Sequence, residues 1–284
     1  MASSKVRARG SFELITATGA LLVPCVLLLI VVSLAVIAAP AMRQFGVGFL
    51  WSNEWNPVTQ EFGALSSIVG TLFSTFLAML IALPASIAIA LFLMEFCPSH
   101  LRAVLSTLIE MLAVVPSVIY GMWGLHILTP IVGMGFLTAA IVLGIMILPY
   151  ITMTAYEVLR MVPPVMREAA FGSGATIWEV TSRVTLRYCA RGLANATLLG
   201  MARALGETMA VTFVIGNAHF LPTSLSSAGN TIASTLANEF AEAVEPVHVG
   251  SLVYLGLVLF GISLLVQLFT SLVVRGMELG RKAK

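Results

Sequence analysis

Two ionisable residues stand inside an apolar stretch, in the string MARALGETMAVTFVIGN: Arg203 and Glu207. Four positions apart, they fall on one face of an α-helix, within reach of each other. A charge at mid-bilayer costs about 2.5 to 3.5 kcal/mol even on a lenient insertion scale, so the two need a reason to be there. One reading is a mutually neutralising pair that fixes helix packing. The other is a substrate pathway, which intramembrane ionisable residues more often mark. Arg203, with up to five N–H donors, then suits an oxyanion, and Glu207 holds the guanidinium when no anion is present. An anion that competes with a carboxylate is bound transiently, as passage requires. Ser117 and Tyr120, beside Pro116, are neutral donors that can line the same route, although Ser in a membrane helix is more often packing glue. Glu110 reads as an interhelical hydrogen-bonding group near the cytoplasmic end, and Glu157 as a helix-end side chain that reaches the interface.

A second group of residues carries a partner signal. The segment from about Arg160 to Gly192 reads RMVPPVMREAAFGSGATIWEVTSRVTLRYCARG. Pro163 and Pro164 stop one helix, and a short new one can begin at Arg167 to Phe171. Within it Glu168 favours a helix amino end, and Ala169 and Ala170 offer a face small enough for close approach. Gly172 and Gly174 permit a tight turn. A second short amphipathic helix follows, with Ile177, Trp178, Val180 and Val184 apolar and Glu179 and Arg183 four apart. Such an element either docks in a partner's groove or lies on the membrane surface, anchored by Trp178 and its arginines.

The elements that position these residues are membrane helices. Of 284 residues 59% are hydrophobic and 10% charged, with mean hydropathy +1.00, a balance outside that of ordinary water-soluble domains. Apolar runs near Ala17 to Ala39, Leu65 to Met94, Ala103 to Leu128, Phe136 to Val158, Leu193 to Asn217 and Ser251 to Val274 are each long enough to span once. The first is too long for a secretory signal and reads as an uncleaved helix. Lipid offers backbone groups no partner, so the spans must be helices, with kinks expected at Pro84, Pro116 and Pro149. Lys5, Arg7, Arg9, Arg102, Arg160, Arg167, Arg183, Arg187, Arg191, Arg275, Arg281, Lys282 and Lys284 fall on one side, thirteen of the fifteen basic residues. The positive-inside rule therefore puts both termini in the cytoplasm, and Trp51 and Trp55 suit an external interfacial belt. The expected fold is thus all-α and polytopic, with six transmembrane helices.

Several functions are disfavoured. A net charge of +2 suggests no nucleic acid. Cys25, Cys97 and Cys189 and the four histidines are scattered, without metal or disulfide spacing. No GxxxxGK[ST] phosphate loop, HExxH or Ser/His/Asp pattern appears, so the chain is not expected to be an enzyme.

Glu168-Ala169-Ala170, with Gly174 six positions after the glutamate and then Val184 and Leu186, resembles the EAA loop of ABC importer permeases. It departs where that loop usually has Ile and Pro, carrying Val184 and Arg187. Together with VVPSVIYGMWGL, EAAFGSGAT and RALGETMAVTFVIGN, it resembles the phosphate-specific (Pst) ABC transporter permeases of PstC type, from about Trp55 onward. The resemblance implies a type I importer permease in a bacterial inner membrane. It assigns 1–16 to a cytoplasmic segment, 17–275 to the permease domain with its coupling loop at about 160–192, and 276–284 to a cytoplasmic tail. Its implied partners are a PstA-like permease, two copies of a PstB-like ATPase that handles ATP and Mg, and a PstS-like phosphate-binding protein, around a lipid-embedded core. Glu168, Ala169, Ala170, Gly174 and Trp178 would then couple to the ATPase. Rival readings are a permease for sulfate or molybdate, and a channel or secondary transporter without an ATPase.

Overall fold

A computed structural model describes the backbone of residues 2–282 and the side chains of residues 12–272. The side chains of Lys5, Arg7, Arg9, Arg275, Arg281, Lys282 and Lys284, which contribute to the expected orientation, lie outside the described residues.

The chain opens with α1 (Ala2–Phe45), followed by a 3₁₀ turn, Gly46–Leu50. A small antiparallel hairpin, β1 (Trp55–Asn56) and β2 (Glu61–Phe62), pairs Trp55 with Phe62. Then come α2 (Leu65–Leu91), ending in a π-helical turn at Phe92–Phe96, α3 (Ser99–Val114) and α4 (Ser117–Trp123). A second π-helical turn, Gly124–Leu128, leads to α5 (Thr129–Val132) and to α6 (Phe136–Arg160). The segment 164–185 holds α7 (Pro164–Gly172), α8 (Ile177–Glu179) and a third π-helical turn, Val180–Thr185. α9 (Leu186–Leu205), α10 (Met209–Val214), α11 (Ile232–Glu239) and α12 (Pro246–Lys282) complete the order.

Among the described residues four helical stretches are long and apolar enough to cross a membrane: Phe12–Leu50, Leu65–Phe96, Phe136–Arg160 and Pro246–Leu272. They become five if Ser99–Val114 and Ser117–Val132, bent by 89° at their junction, count as one broken span. The stretch expected at Leu193 to Asn217 is not a single helix. α9 ends at Leu205 and α10 restarts at Met209. The expected kinks divide in the same way. Pro84 and Pro149 sit within uninterrupted helices, whereas Pro116 separates two.

α6 is the centre of the molecule. It packs along α2 and α9 and also meets α3 and α10. Its Phe136, Ala139, Val142, Leu143, Met146, Ile147 and Ile151 join Ala78 and Ala82 of α2 and Ala204, Ala210, Val211 and Val214 in one buried cluster. A second cluster lies toward the α2 end at Leu93 and Cys97, with Ala155, Tyr156, Leu159, Cys189 and Ala196. Small residues let the backbones approach, which is how helices associate where lipid removes the hydrophobic drive. α1 lies at the periphery and packs on α12, with Ala41 against Gly250. Phe12–Leu50 has a fully exposed most-apolar window, so lipid is its natural surround.

The α6–α9 seam tests this packing. A Cβ at Gly200 would stand 2.4 Å from Ile151 Cγ1, while one at Gly261 meets nothing within 4 Å. Gly200→Val is expected to cost about 1 to 3 kcal/mol by overpacking and Gly261→Val much less, as read by thermal unfolding of the detergent-solubilised protein.

Candidate functional site

The two helix breaks meet. α3 stops because the residue before a proline avoids helical backbone: Val115 is extended, at φ −60° and ψ 127°. The last carbonyls of a helix have no partner within it, and in an apolar interior each needs one. Here the Tyr120 hydroxyl donates to the Leu112 carbonyl at 2.8 Å, and the Tyr150 hydroxyl to that of Ala113 at 2.7 Å. Tyr120 is therefore committed to the backbone across the break, and its ring is buried in the central cluster. Ser117, the first residue of α4, is half-buried.

The second break, at Gly206, Glu207 and Thr208, lies beside the first because α4 packs on α10. A Cβ at Gly121 would come within 2.9 Å of the Ala210 Cα and 2.8 Å of the Phe213 ring. Only a glycine permits that approach. Irregular backbone at membrane depth is tolerated where protein buries it or a cavity is lined, and paired half-helices are a recurrent way to build a transport site.

The break also separates the two charged residues singled out in the sequence. Arg203 is on α9, but Glu207 lies beyond its end, so the expected shared helix face is lost. Glu207 is buried, and its Oε1 accepts the Ala210 N–H at 3.2 Å. It caps the following half-helix, as a carboxylate at a helix amino end should. Arg203 is exposed and lies over the Tyr150 ring, 5.1 Å from its centroid. Among the described residues no carboxylate forms an ion pair with it. Cation–π contact places the guanidinium without neutralising it, so its N–H donors stay available to an anion. Tyr150 is the residue that sequence reasoning missed: its ring holds Arg203 and its hydroxyl holds the first break. Glu110 is exposed and shares a recess of about 360 Å³ with Arg102, Tyr156, Glu157 and Arg160, with Glu157 paired to Arg160 at 3.2 Å.

In the 164–185 segment α7 ends at Gly172 and Gly174 adopts φ +84°, a left-handed conformation that suits glycine. The Gly174 N–H bonds the Phe171 carbonyl at 2.9 Å and Ala175 that of Ala170 at 3.1 Å, closing the helix end. Thr176 and Glu179 then form a capping box that starts α8. Hydrogen bonds from the Thr176 backbone and hydroxyl hold the Glu179 carboxyl below its usual range. The expected Glu179–Arg183 pair is present at 3.7 Å on the surface. Helix continues from Ile177 to Leu205 through the π-helical turn, so Arg187, where proline is usual, sits in an unbroken rod. Glu168, Ala169, Gly174 and Trp178 are exposed and Ala170 is half-buried. Val165 (70% exposed), Phe171, Ile177 and Trp178 (75%) present apolar surface outward, while Val180 turns inward. Arg167 points back into the protein and pairs with Glu95 at the end of α2.

At the opposite end, residues scattered in sequence converge on Glu239. Its carboxylate accepts from Trp55 Nε1 at 2.6 Å and lies 3.0 and 3.1 Å from His219 Nε2 and His248 Nε2. Trp55 stacks on His219 at 5.2 Å and is part of this cluster, while Trp51 is exposed. Asn230 joins His219 to the buried Ser67 and Thr235. Among the described residues no group of side chains is arranged to hold a metal.

Burial pushes the Glu239 carboxyl up, but hydrogen bonds from His219, Trp55 and His248 outweigh it and hold the group below its ordinary 4.5. A depressed carboxyl contributes stability that is complete above the unfolded value and is lost as pH falls through the folded one. Glu239→Gln removes this contribution, so the stability it costs, read by denaturant titration of the detergent-solubilised protein, should be full above pH 4.5 and shrink as pH falls below it. At the breaks, Tyr150→Phe keeps the ring under Arg203 but strands the Ala113 carbonyl, and is expected to lower the unfolding free energy by about 1 to 3 kcal/mol in denaturant titrations.

Comparison with known proteins agrees with this architecture. Residues 66–279 match the family described as binding-protein-dependent transport system inner membrane component. The phosphate transport system permease protein PstC of Mesorhizobium japonicum is 44% identical, over 90% of this chain and 86% of its own. That of Pasteurella multocida is 45% identical, over 82% and 81%. Among solved structures, a chain of a bacterial alginate ABC transporter superposes with a TM-score of 0.66 at 14% identity, over 91% of this chain and 93% of that one. A chain of the MetNI methionine ABC transporter, in an inward-facing conformation, gives 0.59 at 19%, over 75% and 94%. Two helix breaks beside an arginine held on a tyrosine ring, an outward apolar face on the 164–185 segment and these likenesses lead to one assignment: the chain belongs to the binding-protein-dependent transport system inner membrane components, and within them to the PstC-type permeases.

Proposed function

We propose that this chain is a membrane-embedded permease subunit of an ATP-driven inorganic phosphate importer. The observation that carries it is the identity of 44 to 45% with PstC-type phosphate permeases over more than four fifths of both chains. The geometry is compatible with an anion pathway. Arg203 is a cation without a carboxylate partner among the described residues, held by Tyr150 beside two broken spans. Counting from Leu193, ten residues at 1.5 Å each put it about 15 Å into the membrane, near the middle of a core of about 30 Å. Moving one negative charge inward costs about 2.3 kcal/mol per 100 mV of negative-inside potential, so uptake of phosphate calls for an energy source.

On this proposal residues 17–275 form one permease domain of six spans. α3–α4 is the third span and α9–α10 the fifth, each broken, with both termini in the cytoplasm. The exposed face of Val165, Glu168, Ala169, Phe171, Gly174 and Trp178 seats on a PstB-like ATPase dimer, where ATP and Mg are bound, while Ala170 packs behind it. A PstA-like permease completes the pathway, and a PstS-like binding protein delivers phosphate to the end that holds Glu239. The permease performs no catalysis. Ser117 lies beside the pathway, and Tyr120 and Glu207 hold open its two helix breaks without meeting the ion.

The test is labelled phosphate uptake by proteoliposomes that hold the whole complex, binding protein and internal ATP. Arg203→Gln should cut uptake by about tenfold or more while the ATPase still assembles, since a charged contact to an anion is worth about 1.5 to 3 kcal/mol. Sulfate and molybdate should not compete. Uptake untouched by the substitution removes Arg203 from the pathway, and uptake without ATP overturns the importer.

A further inference from the structure

Arg167 and Glu95 are a charged pair in a place where charges are costly, and nothing in the docking face or the anion pathway requires them. Glu95 lies in the π-helical turn that ends α2, with 5% of its side chain exposed. Arg167 lies on α7, one residue before Glu168, with 25% exposed. The two are joined by one contact, Arg167 Nη2 to Glu95 Oε2. The other carboxylate oxygen, Oε1, and the guanidinium Nε are both buried and have no partner.

These four atoms are the parts of a side-on fork. A guanidinium that offers Nε and Nη2 to the two oxygens of a carboxylate makes two parallel bonds. Here one bond is made and the atoms of the second stand ready. A forked arrangement is therefore open to the pair beside the singly bonded one. Complete separation is disfavoured, because it would leave the buried Glu95 carboxylate uncompensated. A displacement of α7 is thus passed on to Glu95 rather than absorbed between the helices.

Glu95 in turn stands on a braced support. Arg102 of α3 donates through Nη2 to the carbonyls of Met94 at 3.3 Å and Cys97 at 3.0 Å, on either side of it. α2 packs along α6, with Ser86 Oγ donating to the Leu148 carbonyl at 3.1 Å, two residues from Tyr150. A contiguous path therefore runs from α7 through Arg167 and Glu95 into α2, and from α2 to the helix that carries Tyr150 and positions Arg203. A path is only intermediacy in space unless some element has two states that both ends bias. The half-made fork is such an element.

We propose that Glu95 and Arg167 form a buried two-position latch that transmits movement of the coupling helix to α2, and so sets how much phosphate is moved for each ATP hydrolysed. This rests on the importer function proposed above. Both are positioning residues: each acts through the helix that carries it.

The experiment measures phosphate uptake and ATP hydrolysis together in proteoliposomes containing the whole complex and loaded binding protein. Glu95→Gln keeps the shape and removes the charge. Arg167→Lys keeps the charge and removes the fork. With Glu95→Gln the complex should assemble and hydrolyse ATP, while the phosphate moved per ATP falls about tenfold, within the range by which single residues alter coupling between sites. Arg167→Lys should give an intermediate ratio. An unchanged ratio in Glu95→Gln overturns the latch while an ATP-dependent native complex leaves the importer intact. Equal loss of assembly, hydrolysis and uptake in both variants also overturns it, since the pair would then be a folding contact. Uptake by the native complex without ATP overturns the importer and the latch together.

Discussion

Every interruption of a helix in lipid releases backbone carbonyls and amides that water cannot reach, and the architecture of this permease follows from how those groups are satisfied. The turn at Val115 and Pro116 costs α3 its last partners, and two tyrosines from different elements restore two of them. The gap at 206–208 exposes the start of α10, and Glu207 caps it. Because the same Tyr150 that closes the first gap carries Arg203 on its ring, the repair of the backbone and the placement of the cation are one structure. Polar side chains here are used for the main chain first and for any passenger second.

That division explains what could be read from sequence and what could not. Apolar length located α1, α2, α6 and α12, since transfer of 20 or so apolar residues into lipid is decided by composition alone. The 164–185 segment was legible because its signals are local: Pro163 and Pro164, Gly174 and the Glu179–Arg183 spacing act over a few residues. Arg203 and Glu207 misled, because spacing of four implies a shared face only where the helix persists, and Gly206 ends it. Pro116 announced a kink but not an 89° turn, which needs Tyr120 and Tyr150 to stabilise it. Tyr150 itself, deep in an apolar run, carries no sequence signal of its role.

The two ends of the molecule use charge differently. At the end that carries α7 and α8, Arg102, Arg160 and Arg167 act on carbonyls, rings or single carboxylates and leave the outward face of those two helices largely apolar. At the other end Glu239 gathers Trp55, His219 and His248 from three separate segments, so a hairpin, an irregular loop and the start of α12 are tied to the end of α11. The residues are 55, 219, 239 and 248, a separation that no periodicity or motif could bridge.

The position of α1 against α12 has a consequence for how the chain is made. Its packing partner is made after every helix from α2 to α11, so α1 waits in the bilayer without α12 while those are inserted. A segment in that situation has to hold its place by partition alone, and Phe12–Leu50 is the most apolar of the candidate spans. α6, which is enclosed by neighbours on most sides, is the least apolar of the four. The helix that waits longest for its partner is thus the one with the greatest affinity for lipid.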